Sequence, residues 1–273
     1  MITEFKTYIK HIKGYSENTA TAYEKDLRSF ARWIHQQRTD ARWSTIEQKD
    51  IDAYIISMSN AGHKPASLCR YISSIRAFYN YQIREGRMTT NPARYESSPK
   101  REEKEVNTIP LNVLTKTWKH TTGELHDIVT ILMTTGVRIQ ECLDITQQDI
   151  QWEDRTIRIH GKGNKERKVY MCDILLTTMQ GAAHDKPYRL FTGWSQRRVR
   201  YELYTIMRQY GNSRQMSPHA IRHTYATELA KQGANVATIA TLLGHKSIKT
   251  TQKYIDMAQT PARELGLNFT YKN

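Results

Sequence analysis

The stretch SPHAIRHTYATEL, Ser217 to Leu229, brings two imidazoles and a guanidinium into one helical turn. Ser217 is a favourable N-cap and Pro218 a favourable first helical residue, so a helix should begin here. His219 and Arg222 are three apart and share a face, and His223 falls close beside them. The free N–H groups of a first helical turn already favour an anion. Cationic and hydrogen-bonding side chains on that turn reinforce the preference.

Other places concentrate similar chemistry. In TTGVRIQECLDI, Gly136 should end one helix and Val137-Arg138 begin another, with Arg138 and Glu141 within reach of each other. As a surface ion pair this would be worth little; as a carboxylate steadying an arginine it would prepare a phosphate grip. GKGNKE, Gly161 to Glu166, reads as a tight basic turn from which Lys162 projects. In LLGHKS, Gly244 reads as a helix stop followed by His245, and Tyr254 lies nine residues further on. No Asp/Glu cluster has the spacing of a two-metal nuclease, so no metal is expected. Cys69, Cys142 and Cys172 are far apart with no CxxC pair, which excludes a zinc ribbon or a disulfide framework and leaves reduced thiols.

These residues need a scaffold, and the periodicity supplies one. TEFKTYIKHIK stops before Gly14. SENTATAYEKDLRSFARWIHQQ opens on Ser16 and repeats Tyr23, Leu27, Phe30 and Ile34 at helical spacing. EQKDIDAYIISMSNAG closes near Gly62, and PASLCRYISSIRAFYNYQIREG carries Leu68, Ile72, Ile75, Phe78 and Tyr79 as its apolar stripe. Together they predict a four-helix bundle over residues 1–90. Its exposed faces carry Lys13, Lys25, Arg28, Arg70, Arg76 and the polar run Ser16 to Thr19; most read as solvated surface, and Lys13, Ser16, Thr19, Arg70 and Arg76 are the candidates to touch a partner, which spacing alone does not single out. Residues 91–107 lack an apolar period and read as a linker. A second domain, 108–273, reads as mostly helical with one hairpin, TIRIH and RKVYM flanking the GKGNKE tip. The fold class is mainly α: an N-terminal helical bundle and a mostly α second domain with a small β-hairpin or sheet (α+β).

The chain has 273 residues, enough for two domains, and a net charge of +14. Basic residues outnumber acidic ones 18 to 13 up to position 106 and 23 to 14 beyond it, so both domains carry the excess. That balance suits a polyanionic partner touched by two bodies. No apolar run approaches a membrane span and the N-terminus lacks the apolar centre of a secretion signal, so no membrane partner and a cytoplasmic location are expected.

Taken in order, Arg138, a hairpin Lys, His219-x-x-Arg222, Gly244-His245 and Tyr254 resemble the tyrosine recombinase (phage integrase) family. TGVRIQECLDIT, GKGNKERKV, SPHAIRHTYAT and LLGHKSIKTTQKY carry the likeness from about Leu111 to Ile255, and YSENTATAYEKDL resembles the family's SAM-like core-binding domain. Because the chain opens directly on the helical bundle, it looks like the Xer-like two-domain form. The resemblance implies site-specific cutting and rejoining of DNA through a 3′-phosphotyrosyl intermediate, without metal or cofactor. It implies Tyr254 as nucleophile, and Arg138, Arg222, His219 and His245 as donors to the phosphate. Lys162 becomes the acid that protonates the leaving 5′ oxygen, with Lys165 and Lys168 as alternatives, and Glu141 orients Arg138. The expected partners are double-stranded DNA with inverted half-sites and further copies of the chain, a dimer on a site and a tetramer in synapsis. A paralogous recombinase or accessory protein is a further possible partner, and the location becomes the nucleoid. A type IB-like topoisomerase and a catalytically silent DNA-binding regulator are the alternative functions.

Overall fold

The structure is a computed structural model, and it describes residues 1–94, 107–161, 165–184, 186, 188–209, 217–244 and 251–255. Lys162, His245 and most of the expected linker lie outside the described residues. The chain divides into two compact units, Met1–Lys104 and Glu105–Asn273.

The first unit contains α1 (Ile2–His11), α2 (Glu17–Gln37), α3 (Gln48–Asn60) and α4 (Pro65–Arg84), with a 3-10 turn at Trp43–Thr45. Ser16 caps α2, its hydroxyl accepting from the Thr19 backbone N–H at 3.3 Å. Leu27, Phe30 and Ile34 are buried on α2, and Leu68, Ile72, Ile75, Phe78 and Tyr79 on α4, as their spacing predicts. Trp43 closes the bundle: its ring lies 4.5 Å from that of Phe78, and its carbonyl accepts from the Tyr79 hydroxyl at 2.9 Å.

Several of the candidate DNA contacts have structural work here. Lys13 is exposed. Ser16 and Thr19 hydrogen-bond each other at 2.8 Å within the cap. Arg70 reaches the buried Asp26 at 3.0 Å. Arg76 was expected on an exposed face but is half-buried, because its Nε donates to the Ala93 carbonyl at 2.9 Å and so fastens the segment after α4.

The second unit is built on α6 (Gly123–Thr135), whose Leu125, Ile128, Val129, Ile131 and Leu132 are all buried. Around it stand α5 (Leu111–Lys119), α7 (Ile139–Leu143), α8 (Asp173–Ala183), α9 (Gln196–Arg208), α10 (Pro218–Lys231) and α11 (Val236–Leu243), and residues 251–255 are helical. A three-stranded antiparallel sheet interrupts the helices: β1 (Ile150–Gln151), β2 (Thr156–Gly161) and β3 (Lys165–Tyr170), in that order.

The sheet corrects the sequence reading in two respects. Pairing runs on to Gly161 opposite Lys165, so the strands take in Gly161, Lys165 and Glu166, half of the GKGNKE turn; main-chain pairing sets this register, and the polar Lys165 and Glu166 give no alternation to reveal it. The strand β1 went unforeseen, because two residues are too few to show a period. Among the described residues no helix is long and apolar enough to cross a membrane.

Candidate active site

Two glycines shape the site. Gly136 ends α6 at φ +62° and Gly244 ends α11 at φ +64°, the left-handed conformation that glycine adopts without a Cβ penalty. At Gly136 the choice is also steric, since a Cβ would lie 2.3 Å from Tyr225 Cδ1. Each turn leaves helix-terminal carbonyls free of intrahelical partners, at the negative end of the helix dipole.

Guanidinium groups occupy those carbonyls. Arg222, 2% exposed on α10, donates to Gly136 O at 2.8 Å and to Leu243 O at 2.6 Å. Arg167 on β3 donates from Nε to Leu242 O at 2.9 Å. Arg138 donates from Nη2 to Gly244 O at 3.3 Å. The end of α11 thus holds three arginines drawn from α10, β3 and the start of α7.

Glu141 ties two of them together. It accepts from the Arg138 backbone N–H at 2.8 Å and from Arg138 Nη1 at 2.8 Å. Arg167 donates to its two oxygens at 3.2 and 2.7 Å. Burial by itself would raise the Glu141 carboxyl, but the hydrogen bonds from Arg167 and Arg138 outweigh it and hold the group below the usual carboxylate range. Glu141 is therefore a carboxylate at neutral pH, with surplus positive charge around it.

That surplus faces a cleft of about 430 Å³ lined by Arg138, His219 and Arg222, with Ser217, Gln196 and Arg200 beside them. Ser217 caps α10, accepting from the Ala220 N–H at 3.1 Å, and the first turn presents His219 to the opening. Burial lowers Arg222 to about 10, and the charge of Arg138 adds to the effect, so the group remains a cation at neutral pH. His219 is lowered by burial first and then by Arg222, which favours its neutral form. An anion in this cleft would meet fork-shaped donors whose geometry is already fixed.

Tyr254 belongs to the same assembly. It is 1% exposed, packed with Ala226, Ala230, Ile239 and Leu243. Its hydroxyl lies 2.6 Å from His223 Nδ1, and Lys253 Nζ stands 5.2 Å from its ring centroid. Burial raises the phenol, while Arg222 pulls in the opposite direction.

Arg138, Glu141, His219, Arg222 and Tyr254 thus come together from three regions of the unit. Lys165 is exposed at the hairpin end opposite Gly161, and Lys168 sits 3.7 Å from the Asp154 carboxylate. Arg167, His223, Gln196 and Arg200 were not among the expected site residues. Strand alternation puts Arg167 on the same face as the buried Val169, and that was the signal that could have marked it. His223 was visible as the second imidazole of its turn. Nothing local marks Gln196 and Arg200. Among the described residues no group of three or more His, Cys, Asp or Glu is placed to hold a metal ion.

Residues 102–260 match the phage integrase family, and residues 2–86 match the phage integrase N-terminal SAM-like domain. The chain belongs to the phage integrase family. Its relatives by sequence are tyrosine recombinases: XerC of Listeria innocua serovar 6a is 31% identical over 273 residues, covering 92% of this chain and 90% of that one. XerD of the same organism is 28% identical over 299 residues, covering 100% and 97%. The fold is shared with a lambda integrase dimer bound to a COC′ core site, at a TM-score of 0.75 and 18% identity over 98% of both chains. It is also shared with the XerH site-specific recombinase bound to a palindromic difH substrate, at 0.74 and 18%, covering 95% of this chain and 82% of that one.

Proposed function

We propose that this protein is a site-specific DNA recombinase in which Tyr254 attacks a backbone phosphate and forms a 3′-phosphotyrosyl link. The observation that carries this reading is the convergence of Arg138 and Arg222 on one cleft, while the Tyr254 hydroxyl meets the helix that bears Arg222. Charge accumulates on the non-bridging oxygens as the phosphate becomes five-coordinate. Guanidinium forks fixed beforehand stabilise that charge without reorganising. His219 adds a donor from the same turn, and His245 is assigned a similar part. Lys162 protonates the departing 5′ oxygen, with Lys165 and Lys168 as alternatives. The covalent link conserves the energy of the broken bond, so a different strand can be joined without a nucleotide cofactor, and the cationic side chains do the work without a metal.

The substrate is double-stranded DNA with inverted half-sites. It is bound by a dimer at one site and a tetramer in synapsis, on the nucleoid in the cytoplasm, with a paralogous recombinase or accessory protein as a further partner. The net charge of +14 spread over both units supports a polyanionic partner. The candidate contacts in the first unit are Lys13, Ser16, Thr19, Arg70 and Arg76. Integration or excision of a mobile element and Xer-type resolution both use this reaction.

A nicked suicide substrate tests the reading on a denaturing gel. Wild-type protein should form a covalent adduct in excess EDTA, and Tyr254→Phe should bind the DNA and form none. An adduct that persists in Tyr254→Phe sinks the assignment of the nucleophile.

A further inference from the structure

A buried phenol is a poor nucleophile until something takes its proton. Tyr254 is 1% exposed and burial opposes its ionisation, so bulk water is badly placed to do this. His223 stands at hydrogen-bond distance: its Nδ1 lies 2.6 Å from the hydroxyl, and the residue is 9% exposed. A neutral imidazole has one nitrogen able to accept, and with Nδ1 unprotonated the hydroxyl donates to it. Around the pair stand His219, its ring 4.4 Å from that of His223, Arg222 on the same turn, and Lys253 over the tyrosine ring. Lys253 faces the flat of the ring instead of its oxygen, and His219 lines the cleft. The pair therefore has the spacing of an oxygen nucleophile and its base.

We propose that His223 is a catalytic residue that accepts the phenolic proton of Tyr254 during DNA cleavage, a role that rests on Tyr254 being the nucleophile. In the cleavage step the Tyr254 Oη–P bond forms and the P–O5′ bond breaks. The phenolic proton passes to His223 Nδ1, and the departing 5′ oxygen takes its proton from the acid assigned above to Lys162. Religation reverses each transfer and returns the proton to the phenol. Protonation adds a cation next to Arg222, which the growing negative charge of the five-coordinate phosphate offsets. Arg222 and His223 are consecutive residues, so one turn of α10 serves both the phosphate and the nucleophile.

A positioning role would leave the same hydrogen bond, so the test must read basicity. His223→Gln and His223→Asn keep a polar atom near the hydroxyl but supply no base. Each should bind site DNA as the wild type does and form the covalent adduct slower by roughly 10²–10⁴-fold, the usual scale for a general base. Both variants are then made with a fluorinated tyrosine of lower phenol pKa at position 254, by nonsense suppression. If His223 is the base, fluorination recovers most of the lost rate, because the phenol then ionises with less help. A slowed variant that fluorination leaves equally slow overturns the assignment, as does either variant cleaving at the wild-type rate. Thermal melts identify a variant that fails to fold, and the other then carries the test. Tyr254→Phe runs in parallel: an adduct there refutes the nucleophile itself, whereas no adduct there together with fully active His223 variants refutes His223 alone.

Discussion

Glu141 receives both terminal nitrogens of Arg167, at 3.2 and 2.7 Å, while holding Arg138 Nη1 at 2.8 Å. One buried carboxylate thus joins the hairpin to the arginine at the start of α7. Its removal should be felt in stability before it is felt in chemistry. Glu141→Gln leaves Arg167, 12% exposed at its side chain, without its counter-charge and should cost about 1–3 kcal/mol in urea unfolding. The pH dependence has a definite sign. The folded carboxyl titrates below its unfolded value, so its contribution is complete above the unfolded pKa and fades as pH falls through the folded one. Wild type should therefore lose more stability than Glu141→Gln when unfolding is followed from neutral pH into the acid range. Equal losses would place the Arg167–Glu141 contact outside the stabilising set.

Arg138→Ala and Arg222→Ala should each slow cleavage by roughly 10²–10³-fold, the scale for losing one donor to a developing oxyanion. Filter binding or gel shift of site DNA should change far less, since many other cations share the contact. The two variants should separate in a thermal melt. Arg138 is 44% exposed at its side chain, whereas Arg222 is 2% exposed and spans Gly136 and Leu243, so Arg222→Ala also removes a brace between α6 and α11. Wild-type cleavage by either variant would remove that arginine from the site.

The general acid is open to a substrate test. Lys162→Ala should be slow on ordinary DNA and recover on a 5′-bridging phosphorothiolate, whose thiolate leaves without a proton. Lys165→Ala and Lys168→Ala should lose little rate and gain nothing from the sulfur. Recovery confined to one of those two would transfer the acid role to it.

Gly136→Ala should damage structure and activity together. The new methyl would lie 2.3 Å from Tyr225 Cδ1 at a φ of +62°, and its carbonyl is the one that receives Arg222. A cost of roughly 1–3 kcal/mol is expected from the strained backbone, with a loss of cleavage as Arg222 is displaced. Gly14→Ala makes a fair control, because its φ is +67° but no atom lies within 4 Å of the added carbon. If the two substitutions cost the same, the packing of Tyr225 against Gly136 plays no part.

Local order along the chain determined a good deal of this protein. The apolar stripes of α2 and α4 predict a bundle because helical periodicity needs only neighbours a few residues away. The cap at Ser217 and the stops at Gly136 and Gly244 are equally local, and they set where α10 begins and where α6 and α11 end. The order of polar motifs from Arg138 to Tyr254 is also legible along the chain, and its resemblance to the phage integrase family implies a phosphate site. Only the tertiary structure decided which polar groups meet. Arg222 finds Gly136 across 86 residues and Arg167 finds Leu242 across 75, and such pairings depend on how the helices and the sheet pack. The same packing half-buries Arg76 and sets His223 against Tyr254. In the sequence none of these residues names its partner; its role comes from burial, which strips away water and leaves a particular partner to satisfy its charge or its hydrogen bonds.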